Sequence, residues 1–166
     1  MAFNYLLALK VMPSRKEDKG SIFFLAFGVF AVCLLSFLEW YFTGKGFTTL
    51  SYIGALLVAA GFAVRWSGEY SLGRRHKARD IIKNHKLVTY GIFSHIRHPC
   101  YAGAFLILLG IAIFFSSAWG FLALVTIIVP TGIYRINMEE KALQEHFGKV
   151  YNEYCKKTKK LIPKIY

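Results

Sequence analysis

Long apolar runs alternate with short polar segments along this chain. Residues 22–42 and residues 48–66 are almost unbroken apolar sequence, and only the segment TGKGF separates them. A third apolar stretch, residues 101–133, is longer than one crossing requires and is interrupted by SSAWG at residues 116–120. About 20 apolar residues suffice to cross a bilayer as a helix. The pattern therefore predicts four membrane spans, the last two of which form a helical hairpin.

The polar segments have patterns of their own. Residues 67–84 predict a basic loop or an amphipathic helix, and residues 137–157 predict an amphipathic helix. At 100° per residue, a set of apolar side chains falls on one side of this C-terminal segment. They are Ile136, Leu143, Phe147, Tyr151 and Tyr154. The expected fold is an all-α integral membrane protein with about four transmembrane helices, including a C-terminal helical hairpin, followed by a cytoplasmic amphipathic helix.

Composition and charge agree with a membrane protein. Hydrophobic residues make up 55% of the chain, which exceeds the usual share in soluble domains. The formal net charge is +12, and of the 21 Lys and Arg residues only Lys45 lies on the far side of the predicted spans. The positive-inside rule then places both termini and the central loop in the cytoplasm. Because the basic residues flank apolar runs, a membrane surface is a better partner than nucleic acid.

The segment FSHIRHPCYAG, residues 93–103, places charged side chains directly before the third apolar stretch. Proline suits the first turn of a helix, and the residue before a proline avoids the helical region. Arg97 and His98 are therefore expected on irregular backbone at a helix N-terminus, where Arg97 would add donors for a carboxylate or a phosphate. A snorkelling Arg97 and an interfacial His98 that anchor the helix would give the same spacing.

Two adjacent carboxylates lie in RINMEEKALQEHFGKVYNEY, residues 135–154. Glu140 falls inside the apolar stripe, and Glu139 lies on its flank, four residues after Arg135. Ionisable groups that face a packed side at the edge of a membrane span are functional candidates. An ordinary Arg135–Glu139 pair on a solvated helix is the structural alternative.

Taken together, these motifs resemble the isoprenylcysteine carboxyl methyltransferases and their relatives, the phospholipid N-methyltransferases. That family carries a stretch like HxLVTxGxYxxxRHPxYxG, and this chain has HKLVTYGIFSHIRHPCYAG at residues 85–103. A hairpin, an Arg, a Glu pair, an FG, two spaced tyrosines and a late proline follow in the same order. The resemblance covers the second half of the chain, and the first half matches only as membrane spans. Phe93 stands where the family usually has Tyr, so a hydroxyl is missing there.

The resemblance implies a membrane-edge pocket for S-adenosylmethionine (SAM). Glu139 would be the partner of the cationic methionine end of SAM, and Arg135 would hold a carboxylate on the acceptor. The expected catalytic residues are Arg135, Glu139, Glu140 and Arg97. The expected cofactor-binding residues are His85, Lys86, Leu87, Val88, Gly91, Phe93, His98, Pro99, Cys100, Tyr101 and Glu139. No metal site is expected.

The whole chain, residues 1–166, is expected to form one membrane-embedded methyltransferase domain, with its catalytic half from about residue 80. The expected activity is SAM-dependent methyl transfer to a lipophilic acceptor within membrane lipid, namely carboxyl O-methylation of a prenylcysteine-like or isoprenoid acid. A carboxylate is already ionised at pH 7, so this transfer needs alignment and exclusion of water rather than a general base. The active site would face the cytoplasm, at the inner membrane of a prokaryote or the endoplasmic reticulum of a eukaryote.

Two other functions stay open. Membrane sterol and steroid reductases carry an RHPxYxG-like stretch and use NADPH, whose extra phosphate could contact a basic segment. That segment contains Arg74, Arg75, Lys77 and Arg79. The Glu139–Glu140 pair fits the methyltransferases better. The second alternative is a non-enzymatic membrane protein that binds anionic lipid, for which the tail KKTKK at residues 156–160 is suited.

Overall fold

A computed structural model describes residues 20–76 and 87–163, the side chains of residues 73–76 excepted. Five helices follow one another in this part of the chain, and no strand occurs in it. They are α1 (Ser21–Thr43), α2 (Thr49–His76), α3 (Pro99–Phe114), α4 (Ala118–Phe147) and α5 (Lys149–Lys157). A short 3₁₀ turn, Gly91–Ser94, precedes α3, and α4 contains one π-helical turn at Leu124–Ile128. The all-α fold expected from the apolar runs is confirmed.

Three helices are long and apolar enough to cross a membrane in the described ranges: α1, the segment Thr49–Leu72 of α2, and α4. Helix α3 is also apolar, but its 16 residues give a length of only about 24 Å, so four spans stay a prediction. Large apolar side chains on α1 point outward, including Phe23, Phe24, Phe27 and Phe30. An apolar exterior on helices of spanning length identifies an integral membrane protein.

Glycines let α2 and α3 approach each other closely. Gly54 and Gly61 on α2 meet Gly110 and Gly103 on α3, and the two glycines of each helix are seven positions apart. A Cβ atom added to Gly61 would lie 2.7 Å from the carbonyl oxygen of Gly103. Small residues at this spacing allow backbone-to-backbone packing between membrane helices. This seam fixes the position of α3 along α2.

Helix α1 packs against α4 on the other side of α3. Val32 and Leu108 are buried with Ala123, Leu124 and Ile128 in one apolar cluster. The packing is tight, because a Cβ atom added to Gly28 of α1 would lie 2.7 Å from Cδ1 of Ile128. The π-helical turn of α4 supplies two members of this cluster.

The turn between α3 and α4 carries a polar cap that α1 completes. Ser117 caps the start of α4 by accepting a hydrogen bond from the backbone N–H of Gly120 at 2.8 Å. Glu39 of α1 accepts hydrogen bonds from the Ser117 hydroxyl at 2.7 Å and from the backbone N–H of Trp119 at 3.1 Å. Lys45 lies 3.6 Å from the same carboxylate. These contacts satisfy the orphan donors of the hairpin turn, at the end of α3 opposite to Arg97 and His98.

Two element boundaries differ from the sequence prediction. Helix α2 continues past Trp66 to His76, because the polar residues after Trp66 are still compatible with a helix. The C-terminal segment 137–157 is not one helix: its first part ends α4 and its second part is α5. Gly148 separates them with φ 51° and ψ −119°, a conformation that interrupts helical hydrogen bonding and that glycine adopts most easily. The remainder of the segment predicted at residues 67–84 begins at residue 77 and lies outside the described residues.

Candidate active site

The backbone before α3 is held by the C-terminal segment of the chain. His98 is the N-cap residue of α3 with φ −124° and ψ 58°, and Pro99 opens the helix, as the His-Pro dipeptide predicts. The backbone N–H of Arg97 donates to the carbonyl of Lys159 at 2.8 Å, and that of His98 donates to the carbonyl of Lys160 at 3.0 Å. Residues 158–160 thus run alongside residues 95–98 in a short parallel pairing.

Arg97 is bound to groups of the protein itself. Its Nε donates to Oε1 of Glu140 at 2.7 Å, and its Nη1 donates to the carbonyls of Thr158 and Cys155. Internal acceptors thus engage two of the three guanidinium nitrogens of Arg97, and its expected role towards a ligand carboxylate or phosphate stays a prediction. Burial acts to lower the pKa of Arg97, but the hydrogen bond and the charge of Glu140, together with the nearby Cys155 and Tyr151, outweigh it and raise that pKa.

His98 lies between the two carboxylates of α4. Its Nε2 is 3.3 Å from Oε1 of Glu140, and its Nδ1 is 3.6 Å from Oε2 of Glu139. Only 4% of the His98 side chain is exposed. Burial acts to lower the pKa of His98, and the interactions with Glu139 and Glu140 overcome this and raise the pKa above the ordinary 6.5. A protonated His98 therefore shares its charge between two carboxylates.

The two neighbouring carboxylates differ in how well they are satisfied. Oε1 of Glu140 meets Arg97 and His98, and Oε2 of Glu140 lies 3.1 Å from Nζ of Lys160. Oε2 of Glu139 is buried and has no hydrogen-bond partner among the described residues. A buried carboxylate oxygen is costly unless a donor or a cation meets it. The geometry therefore separates a structural carboxylate, Glu140, from one that can receive a ligand cation, Glu139.

Arg135 joins three helices beside this pair. Its Nε donates to the hydroxyl of Tyr101 at 3.3 Å, and its Nη1 donates to Oγ of Ser21 at 2.7 Å. Arg135 is 7% exposed, so a guanidinium is held inside the bundle near the first turn of α1. The ring of Tyr101 in turn contacts the ring of His98 edge to face, with centroids 5.9 Å apart. Arg135 is thus connected to Glu139 through Tyr101 and His98.

The remaining residues expected to bind the cofactor lie in the segment before α3 and at the start of that helix. Leu87 and Val88 are half-buried, and Gly91 takes a left-handed φ of 63° against Ser71. Phe93 is buried, and its carbonyl accepts a hydrogen bond from the hydroxyl of Tyr154 at 2.6 Å.

Helix α3 supplies two more of these residues. The proline ring and the Cys100 thiol face Gly68 of α2, because a Cβ atom added there would lie 3.1 Å from both Pro99 Cγ and Cys100 Sγ. His85 and Lys86 lie outside the described residues. Within the described ranges, no group of three His, Cys, Asp or Glu side chains is placed to hold a metal ion.

Sequence reasoning missed three residues of this arrangement. Lys160 and Thr158 reach the site from the C-terminal segment, and Ser21 reaches it from α1. The lysines of residues 156–160 fit a lipid-binding tail, and nothing local distinguishes Lys160, which is partly buried against Glu140, from its exposed neighbours. Only the pairing of distant backbone segments creates these contacts.

Comparison with known proteins agrees with this geometry. Residues 50–150 match the sequence profile of the phospholipid methyltransferase family. A probable protein-S-isoprenylcysteine O-methyltransferase of Oryza sativa subsp. indica is 29% identical over 124 residues, which cover 73% of this chain and 65% of that protein. Protein-S-isoprenylcysteine O-methyltransferase B of Arabidopsis thaliana is 26% identical over 169 residues, covering 96% and 85%. The corresponding enzyme of Xenopus laevis is 33% identical over 129 residues, covering 73% and 43%.

The chain spans less than two thirds of the length of the rice relative. The profile match nevertheless includes the seam glycines, the segment before α3, both carboxylates of α4 and Arg135, and it covers more than half of the 166 residues. The chain belongs to the phospholipid methyltransferase family.

Proposed function

We propose that this chain is a membrane methyltransferase that uses SAM and methylates the carboxylate of a lipophilic acceptor, a prenylcysteine-like or isoprenoid acid. The proposal is supported by family membership and by similarity to proteins named protein-S-isoprenylcysteine O-methyltransferases. The single structural observation that carries it is the buried Oε2 atom of Glu139, which has no hydrogen-bond partner among the described residues.

The residues around Glu139 suit a cationic cofactor. A ligand ammonium beside Oε2 would supply the missing hydrogen bond and balance a buried negative charge. Glu140 does not compete for that cation, because Arg97, His98 and Lys160 already meet its oxygens. Glu139 would therefore hold the methionine end of SAM.

Arg135 would hold the carboxylate of the methyl acceptor. When bound, SAM supplies a methyl group on a sulfonium, whose transfer to a carboxylate oxygen leaves a methyl ester and a neutral thioether. A fixed guanidinium can align a carboxylate, and Arg135 is buried and held in place by its hydrogen bonds to Tyr101 and Ser21. Because the carboxylate is already ionised, no general base is required. The apolar helices exclude water from competing as an acceptor.

The site would face the cytoplasm. The contact between Arg135 and Ser21 brings the start of α1 to the same end of the bundle as the start of α3 and the C-terminal segment. Among the described residues that end carries Arg97, Arg135 and Lys160, whereas Lys45 lies at the opposite end beside Glu39. The positive-inside rule assigns the basic end to the cytoplasm. A lipid-borne acceptor would enter sideways between helices.

The first test is cofactor identity. Calorimetric titration of the detergent-solubilised protein with S-adenosylhomocysteine (SAH), beside a titration with NADPH, distinguishes a methyltransferase from a reductase. We expect micromolar binding of SAH alone. Binding of NADPH alone would overturn the proposal, and binding of neither by folded protein would favour the lipid-binding alternative.

The second test is the acceptor. Transfer of labelled methyl from SAM is measured to N-acetyl-S-farnesylcysteine, to farnesoic acid and to the carboxamide of the first compound. We expect label in one or both acids and none in the carboxamide, which lacks the anionic oxygen. Phosphatidylethanolamine serves as an amine acceptor, and transfer to it alone would contradict the role given to Arg135.

A further inference from the structure

Residues 158–160 fix the backbone that carries the site. The carbonyls of Lys159 and Lys160 accept the backbone N–H groups of Arg97 and His98, and the Arg97 guanidinium donates to the carbonyl of Thr158. Thr158 is buried, and its hydroxyl donates to the carbonyl of Tyr154. This segment is therefore an internal part of the fold at its cytoplasmic end.

Lys160 makes the one side-chain contact from this segment to the carboxylates of α4 among the described residues. Its Nζ lies 3.1 Å from Oε2 of Glu140 and 2.9 Å from Oδ1 of Asn137. An ionised carboxylate offers about four acceptor positions on two oxygens. Arg97 and His98 occupy Oε1, and Lys160 occupies Oε2, so the rotation of the carboxylate is fixed from both sides.

The orientation of Glu140 decides where the imidazole of His98 lies. With Nε2 of His98 held by Glu140, Nδ1 is directed at Oε2 of Glu139. If Lys160 were absent, Oε2 of Glu140 would be a second carboxylate oxygen without a cation in the same small region. It would attract the imidazole or a ligand cation away from Glu139.

We propose that Lys160 is a positioning residue for the cofactor site: by holding Glu140 it keeps His98 and Glu139 in the arrangement that receives the cation of the cofactor. Lys160 does not touch the cofactor itself. This inference rests on the proposed use of SAM, and it adds a residue from the C-terminal segment to the machinery.

The test compares three variants. Lys160→Met removes the charge but keeps the length, Lys160→Arg restores a cation, and Lys157→Met removes an equal charge at an exposed position of α5. SAH affinity is measured by calorimetry, together with KM for SAM and kcat.

We expect Lys160→Met to weaken SAH binding about fivefold, as for loss of one partly exposed charge-assisted hydrogen bond. In Lys160→Met, KM for SAM should rise while kcat changes little. Lys160→Arg should recover most of the lost affinity. Lys157→Met should bind as the wild type does.

A second readout needs no cofactor. The charged groups that surround the imidazole of His98 are Glu139 and Glu140 from α4, Arg97 beside it, and Lys160 behind Glu140. Without Lys160 the negative charge of Glu140 acts more fully on His98, so the His98 titration seen by NMR should move to higher pH in Lys160→Met. Lys157→Met should leave it in place.

The outcomes separate the two claims. If the wild type binds no SAH but His98 titrates higher in Lys160→Met, the proposed function fails and the positioning of Glu140 stands. If the wild type binds SAH and Lys160→Met equals wild type in affinity and in His98 titration, the positioning role is overturned and the proposed function stands. Equal losses in Lys160→Met and Lys157→Met would also overturn it, since net charge alone would explain them.

Discussion

His98 and Glu139 face each other across 3.6 Å, measured from the ring Nδ1 to the carboxylate Oε2. This separation exceeds the roughly 2.7–2.9 Å of a strong charge-assisted hydrogen bond, and Oε2 has no hydrogen-bond partner in the described part of the chain. The histidine therefore orients and partly neutralises the carboxylate without satisfying it. In the proposed function, the cationic end of the cofactor would meet this oxygen of Glu139.

The charge of His98 should make the stability of the protein depend on pH. Because Glu139 and Glu140 raise the pKa of His98 above 6.5, protonated His98 stabilises the fold fully below that value. This contribution is lost as pH rises through the raised folded-state pKa. The difference in free energy of unfolding between wild type and His98→Gln in detergent should thus be larger at about pH 6 than at about pH 9. A difference that does not change with pH would mean that folding does not shift the pKa of His98, and a smaller difference at about pH 6 than at about pH 9 would mean that His98 is neutral in the folded protein.

The Arg97–Glu140 pair should contribute strongly to stability. Their side chains are 9% and 16% exposed, and removing one member of a buried ion pair costs about 3–5 kcal/mol. We expect Arg97→Met to lower the free energy of unfolding by about 3 kcal/mol in chemical denaturation.

The matched control for Arg97→Met is Lys156→Met. Lys156 pairs with Glu153 on the surface of α5, with side chains 70% and 64% exposed. Such a pair should contribute less than about 1 kcal/mol to the free energy of unfolding. Equal effects of the two substitutions would show that the Arg97–Glu140 pair stabilises the fold no more than a surface ion pair does.

The glycine seam should tolerate no added side chain. In Gly61→Ala the new Cβ would lie 2.7 Å from the backbone carbonyl of Gly103, so α2 and α3 must separate. Overpacking of this kind costs about 1–3 kcal/mol, which thermal unfolding in detergent would detect. Gly46→Ala is the control, because nothing lies within 4 Å of a Cβ there. A Gly61→Ala protein as stable as Gly46→Ala would contradict the close packing of these helices.

Much of the fold follows from local sequence, whereas the site does so only in part. The apolar runs predict α1 and the first part of α2 to within a few residues, and the His98–Pro99 dipeptide predicts the start of α3. The pairing of Arg97 with Glu140 could not be derived from spacing, because the two residues are 43 positions apart. Local periodicity reports which residues share a face of one helix. It carries no information about which distant charge a side chain will meet.

The break at Gly148 and the role of Lys160 have the same explanation. A glycine inside a helical pattern is compatible with a continuous helix, and its left-handed conformation appears only in the folded chain. Lys160 resembles its neighbours in a basic tail, and it becomes an internal ligand of Glu140 because residues 158–160 pair with residues 95–98.

The most direct test of Glu139 as the cofactor's partner is the SAH affinity of Glu139→Gln, measured by calorimetry beside that of the wild type. Glu145→Gln is the control, because Glu145 is an exposed carboxylate on the same helix. Losing one partner of a buried charge pair costs about 2 kcal/mol or more, so Glu139→Gln should bind SAH at least about thirtyfold more weakly. Glu145→Gln should bind as the wild type does. Wild-type affinity in a Glu139→Gln protein with an unchanged melting temperature would contradict the assignment of Glu139 as the cofactor's partner.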